Sequence, residues 1–148
     1  MPLARKRILL SLLLGFVCLA CREKGDPVRE TLDRIVKAAR ARDSGAVAVN
    51  LTGGYRDAEG QTPADVAATL RRYFAAYEIV DIRLTGLEIE RAPEAARAKF
   101  RVEFSGQPTK LGGLDRLLPS SSRYDFEVRL IPEGSRWKVE WASWERVS

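Results

Sequence analysis

Apolar residues fall into three regimes along this chain of 148 residues. The first is an unbroken run from Ile8 to Ala20, relieved only by Ser11 and Gly15 and preceded by Arg5, Lys6 and Arg7. The second has the 3.6-residue period of amphipathic helices. Val28, Leu32, Ile35, Val36 and Ala39 lie at i, i+4, i+7, i+8 and i+11, with Arg29, Asp33, Arg34, Lys37 and Arg40 on the other face. Pro27 suits the first turn of that helix, because its missing N–H has no partner there anyway. Asp43 or Ser44 can cap a second, short helix through Ala46 to Leu51, which Gly53 and Gly54 end. A third helix opens on Thr62 as N-cap, Pro63 at N1 and Asp65 at N3, close to a capping box. Val66, Leu70, Tyr73, Phe74 and Tyr77 form its apolar stripe.

After Tyr77 the period becomes two, as in half-buried strands. Ile82 and Leu84 alternate with charged residues, and Leu87 and Ile89 continue one position out of phase, a slip that a bulge at Gly86 can absorb. Ala96, Ala98, Phe100, Val102 and Phe104 form the apolar side of the next strand, then Tyr124, Phe126, Val128 and Leu130, then Trp137, Val139 and Trp141. "RAPEA" and "IPEGS" read as tight hairpin turns. Helices first and a four-stranded meander afterwards predict an α+β fold, with N-terminal helices packed on one face of a curved four-stranded antiparallel sheet.

This order of elements, with Tyr55, Arg56, Asp57 and Gly60 before the third helix, Tyr73 and Phe74 within it and the closing "WKVEWASW", resembles the nuclear transport factor 2-like superfamily. The resemblance covers Val28 to Trp144. It implies a cone-shaped domain over residues 28–148, and it implies an interior in which some members of the superfamily place a catalytic acid and a tyrosine.

The first regime has another meaning. Thirteen residues of helix reach roughly 20 Å, short of the ~30 Å core of a bilayer. A basic start, a short apolar run and small residues after it describe an export signal over residues 1–20. Cleavage before Cys21 would leave either an ordinary secreted protein or a lipoprotein, since "CLAC" resembles a bacterial lipobox with Ala20 before the acylated cysteine. Both readings cut the same bond. A lone exposed thiol at the first residue invites oxidation, which favours lipidation of Cys21. Cys18 leaves with the signal, so no disulfide or cysteine metal site is expected in the mature chain. Residues 21–27 then form a lipidated tether to the membrane. Arg22 stands where inner-membrane lipoproteins of enteric bacteria carry Asp, which points to the outer membrane and a periplasm-facing domain.

Charge changes this picture little. The formal +5 loses three positive charges with the signal, and the remaining arginines are interleaved with acids. Nucleic acid is therefore not an expected partner. The chain has no histidine, which removes the commonest general base and the commonest transition-metal ligand. "LGGL" at 111–114 lacks the strand and helix that a phosphate loop needs. Asp57 and Glu59 make an incomplete calcium set, and Asp57 is better read as an acceptor for loop N–H groups. No metal or cofactor is expected.

The aromatics Tyr73, Tyr77, Phe100, Phe104, Tyr124, Phe126, Trp137 and Trp141 either fill the core or line a cavity for a small hydrophobic ligand. Each strand sets its charges opposite its aromatics, so no buried acid is expected, and the domain reads as a non-catalytic binding or scaffold module for a ligand or an envelope protein. The rival is an isomerase or hydrolase acting on a small hydrophobic substrate, for which Asp81 and Glu88, beside the phase slip, are the acids to inspect. Gly106 to Ser122 is too long for a simple hairpin loop. The spacing of Leu111, Leu114, Leu117 and Leu118 fits either a short helix lying over the mouth or a surface loop.

Overall fold

The computed structural model describes residues 25–110 and 118–148. The export signal, Cys21 and most of the tether lie outside the described residues, as do Leu111, Leu114 and Leu117 of the predicted lid. Among the described residues no helix is long and apolar enough to cross a membrane.

Helix α1 spans Pro27–Arg40, and its N-terminus is held by Asp26, whose Oδ1 accepts from Val28 N at 2.9 Å. A single short turn, α2 (Ser44–Ala48), is capped by Asp43. Helix α3 (Pro63–Ala75) carries the predicted capping box, in which Asp65 and Thr62 each accept from the other's backbone N–H. Strands β2 (Tyr77–Ala92), β3 (Ala95–Pro108), β4 (Ser121–Glu133) and β5 (Arg136–Val147) form the antiparallel meander. The β2–β3 register shifts between Thr85 and Glu88, where Gly86 takes φ +62°. Only glycine adopts such a backbone without steric cost.

The sheet has one strand more than the alternation predicts. Leu51–Asp57 form β1, which pairs in parallel with β5 and gives the order β1-β5-β4-β3-β2. Two adjacent glycines and a non-alternating pattern hide this strand in the sequence. Its partner lies some eighty residues away, and tertiary pairing overrides local propensity.

The helices cover one face of the sheet. One core joins Val28 and Leu32 of α1 to Tyr55, Ala98, Val128 and Leu130 of the strands. Thr31, fully buried, ties α1 to β5: its hydroxyl donates to the Trp137 carbonyl at 2.7 Å and accepts from Arg34 Nη2 at 2.7 Å. A second core groups Ala39, Val47, Phe74, Tyr77, Val80 and Phe104 near the α3–β2 junction. The opposite sheet face is charged and laced across strands, with Arg101 bidentate on Asp125 and Arg97 on Glu127.

Candidate functional site

Between the helices and the sheet lies a cavity of about 320 Å³. Leu32, Ile35, Val36 and Ala39 supply one wall from α1, and Val66, Thr69 and Leu70 another from α3. The sheet contributes Ile82, Leu84, Phe100, Val102, Phe126 and Trp144 among others. Among the described lining residues none is charged, and Tyr55, Gln61 and Thr69 are the polar ones. Two further depressions, of about 470 and 570 Å³, are more open and are lined by charged side chains of the sheet such as Arg83, Glu103, Lys99 and Asp125.

The eight aromatics singled out in the sequence are not brought to one place. Phe100 and Phe126 line the cavity and stack at 5.6 Å between centroids, and Phe126 stacks on Trp144 at 5.7 Å. Tyr73, Tyr77 and Phe104 instead pack edge-on or tilted against one another, 5.0–5.1 Å apart, and fill the second core. Tyr77 also donates its hydroxyl to the Pro119 carbonyl at 2.9 Å. Tyr124 stands half-buried near Tyr73. Burial first, then Tyr77 beside it, pushes the Tyr73 phenol well above its ordinary pKa. Trp137 packs against the first core without reaching the cavity wall. Trp141 is the largest departure. A bulge in β5 sets both Glu140 and Trp141 against Arg129, so Trp141 pairs with that exposed arginine and Ala142 and Trp144 turn inward in its place. An uninterrupted period of two cannot signal that extra residue.

The acids flanking the phase slip stay outside. Asp81 is paired with Arg40 and its side chain is 54% exposed, and Glu88 is exposed as well. The buried carboxylate is Asp57, 4% exposed, on the strand that the sequence concealed. Its Oδ1 accepts from Glu59 N and Gln61 N, each at 2.9 Å, which holds the turn between β1 and α3. Its Oδ2 is buried and makes no hydrogen bond of ordinary geometry. The hydroxyl of Tyr55, a residue 3% exposed that lines the cavity, lies beside that carboxylate. Burial first, and then the charge of Asp57, hold the Tyr55 phenol far above its ordinary pKa. The cavity wall thus carries a protonated tyrosine backed by a buried carboxylate.

Solved structures share this arrangement of helices and sheet. A nuclear transport factor 2-like superfamily protein from Salmonella enterica matches with a TM-score of 0.66 at 11% identity, over 82% of this chain and 89% of that one. The fold is the nuclear transport factor 2-like cone. A hexachlorocyclohexane dehydrochlorinase, LinA-type3 from Novosphingobium barchaimii, matches with a TM-score of 0.65 at 9% identity, over 82% of this chain and 85% of that one. Bd1075 from Bdellovibrio bacteriovorus matches with a TM-score of 0.66 at 10% identity over 81% of this chain, which spans only 40% of that longer protein. No family model and no curated protein matches the sequence.

These likenesses show the fold alone, yet they correct one expectation. The alternation of charges and aromatics led to a domain without catalysis, whereas the dehydrochlorinase shows this cone serving an enzyme. The exclusion also rested on the four meander strands, and the buried carboxylate sits on a fifth. The absence of a catalytic centre is therefore not a property of this chain that its sequence establishes.

Proposed function

We propose that this domain binds a small, predominantly apolar molecule in the cavity between α1, α3 and the sheet, at the cell envelope, held there by lipid on Cys21. The uncharged wall carries the reading: a cavity of about 320 Å³ enclosed by aliphatic and aromatic side chains, with Tyr55, Gln61 and Thr69 its polar members among the described residues. That volume is at the lower end of small-molecule sites, which are mostly apolar with a few placed polar groups. Titration of the full, non-acylated chain with the neutral fluorophore N-phenyl-1-naphthylamine tests it. Saturable binding that disappears in Val102→Phe, while the circular dichroism spectrum is retained, supports the cavity as the site. Binding unaffected by Val102→Phe refutes it.

The anchor is tested separately. Cys21→Ser should move the protein from the membrane to the soluble fraction, since firm attachment needs more than one acyl chain and a lipoprotein supplies several. Unchanged membrane association refutes the lipid.

A second reading, an enzyme acting on the bound molecule, is favoured by the free Oδ2 of Asp57 beside the Tyr55 hydroxyl. A buried carboxylate with a positioned proton donor is the equipment of acid–base chemistry on an apolar substrate. It separates from binding alone through Asp57→Asn, which would abolish turnover while leaving the ligand bound.

A further inference from the structure

The floor of the cavity crosses the sheet on a diagonal. Leu84 of β2 faces Val102 of β3, Phe100 faces Phe126 of β4 one pleat further along, and Val128 faces Ala142 of β5 one pleat beyond that. Helix α1 follows the same line and is pinned at both ends. Over β5 the Thr31 hydroxyl donates to the Trp137 carbonyl, and over β2 Arg40 Nε donates to the Ile82 carbonyl at 2.8 Å. The pins are nine residues apart, about 13.5 Å of helix axis. The three strand spacings from β2 to β5 come to about 14 Å, so helix and sheet measure the same span. Leu32 and Ala39, lining positions just inside the pins, are about 10 Å apart along the axis. A compact void of about 320 Å³ would be only some 8.5 Å across. Spread over about 10 to 13.5 Å instead, the same volume has a mean cross-section of about 24–32 Å².

We infer that this cavity takes one unbranched hydrocarbon chain of about eight to eleven carbons, extended along α1, as in a medium-length alkyl or acyl compound. This rests on the cavity being the binding site and adds the shape of the molecule. Carbon–carbon bonds of about 1.5 Å, in zigzag, advance about 1.25 Å per atom, so a path of about 10 to 13.5 Å holds that number of carbons. Carbon atoms meet at about 3.5–4.0 Å, so a cross-section of this size admits a single chain and excludes a cage several carbons wide. A flat aromatic probe enters only lengthwise. The described lining offers the chain aliphatic and aromatic contacts along its path and no charge. Ala39 stands near one limit of that path, in the group that includes Val47 and Phe74, and a longer side chain there shortens it.

Calorimetry on the full, non-acylated chain tests it with each primary alcohol from hexan-1-ol to dodecan-1-ol and with the compact 1-adamantanol. The hydroxyl is common to all the probes and serves solubility. Affinity should rise about fourfold for each added carbon while the chain is still being buried, and stop rising between octan-1-ol and undecan-1-ol. Ala39→Leu should move that limit about two carbons shorter while the circular dichroism spectrum is retained. Should Ala39→Leu not fold, Ala39→Val should move it by about one. A rise that continues through dodecan-1-ol overturns the inference, and so does a limit that stays in place in a folded Ala39 variant. Binding of 1-adamantanol as tight as that of decan-1-ol, its equal in carbon number, overturns it while leaving the cavity as a binding site. Failure of every probe to bind refutes the cavity reading itself.

Discussion

Gly106→Ala isolates how tightly the second core is closed. Gly106 lies on β3 two residues after Phe104, opposite Val80 of β2. A Cβ built there falls 2.7 Å from Phe104 Cζ, 2.7 Å from Tyr77 Cδ1 and 3.1 Å from the Ile79 carbonyl oxygen. Contacts below 3.0 Å force something to move, and neither ring is free to do so: Phe104 is 5% exposed and Tyr77 1%, with its hydroxyl held by Pro119. Overpacking of this kind costs about 1–3 kcal/mol. Opposing it, loss of glycine's freedom in the unfolded chain stabilises by about 0.4–1 kcal/mol. The larger effect wins, leaving a net loss on the order of 1–2 kcal/mol and a Tm lower by about 3–10 °C for a domain of this size. Urea unfolding followed by tryptophan fluorescence should show a lower midpoint at unchanged slope, which marks a change in stability rather than in the denatured state. Phe104→Leu removes one of the two colliding rings, so the double variant should lose less than the sum of the single losses. A Gly106→Ala chain as stable as the parent, or more so, refutes the argument, because the overpacking then costs no more than the unfolded-state effect returns.

Two other perturbations address the joints of the fold. Thr31→Val keeps the shape but leaves the buried Trp137 carbonyl and Arg34 without their shared partner, and should cost about 1–3 kcal/mol in the same unfolding assay. The hydrogen bond from Arg91, and then those from the first-turn N–H groups, hold the Asp26 carboxyl below its ordinary pKa despite partial burial. A depressed folded pKa gives stability that is complete above the ordinary carboxylate range and is lost as the pH falls through that range and below it. Asp26→Asn retains a good N-cap but cannot titrate, so its Tm should fall less steeply than the parent's on acidification. An identical acid limb in both chains would remove Asp26 from the account.

Legibility in the sequence followed the range of the forces involved. Helix starts are set by residues within three positions of one another: Pro27 in the first turn and the Thr62–Asp65 box could be read directly, and of the two caps offered for the second helix it is Asp43 that stands. Strand faces were readable wherever the pleat runs unbroken, as in Ala96 to Phe104, and even across Gly86, where a glycine advertises the bulge. They failed at Trp141, where the bulge falls at Glu140 and no glycine or proline marks it. The polar part of the candidate site was hidden for a related reason. Asp57 was read correctly as an acceptor for loop N–H groups. Its burial beside Tyr55 depends on β1 finding β5, and nothing in "LTGGYRD" announces a strand. The cavity itself is a difference between packed volumes, and a residue pattern gives faces without giving the distance between them.

The parallel pairing of β1 with β5 makes assembly depend on order of arrival. Residues 51–57 emerge from the ribosome well before residues 136–147, and until then β1 has no neighbour in the sheet. Local hairpins among β2, β3 and β4 can form early, whereas closing a loop of this length is a slow, late event. Tyr55 and Asp57 therefore take their places last, together with Trp144. A nascent or truncated chain stopping before Arg136 keeps most of its meander, yet leaves the backbone edge of β4 unpaired and the part of α1 that packs on β5 uncovered. Such a chain is a substrate for chaperones and proteases rather than a smaller working domain. Premature stop codons anywhere upstream of β5 should behave alike, giving the same low abundance whatever length of chain they leave.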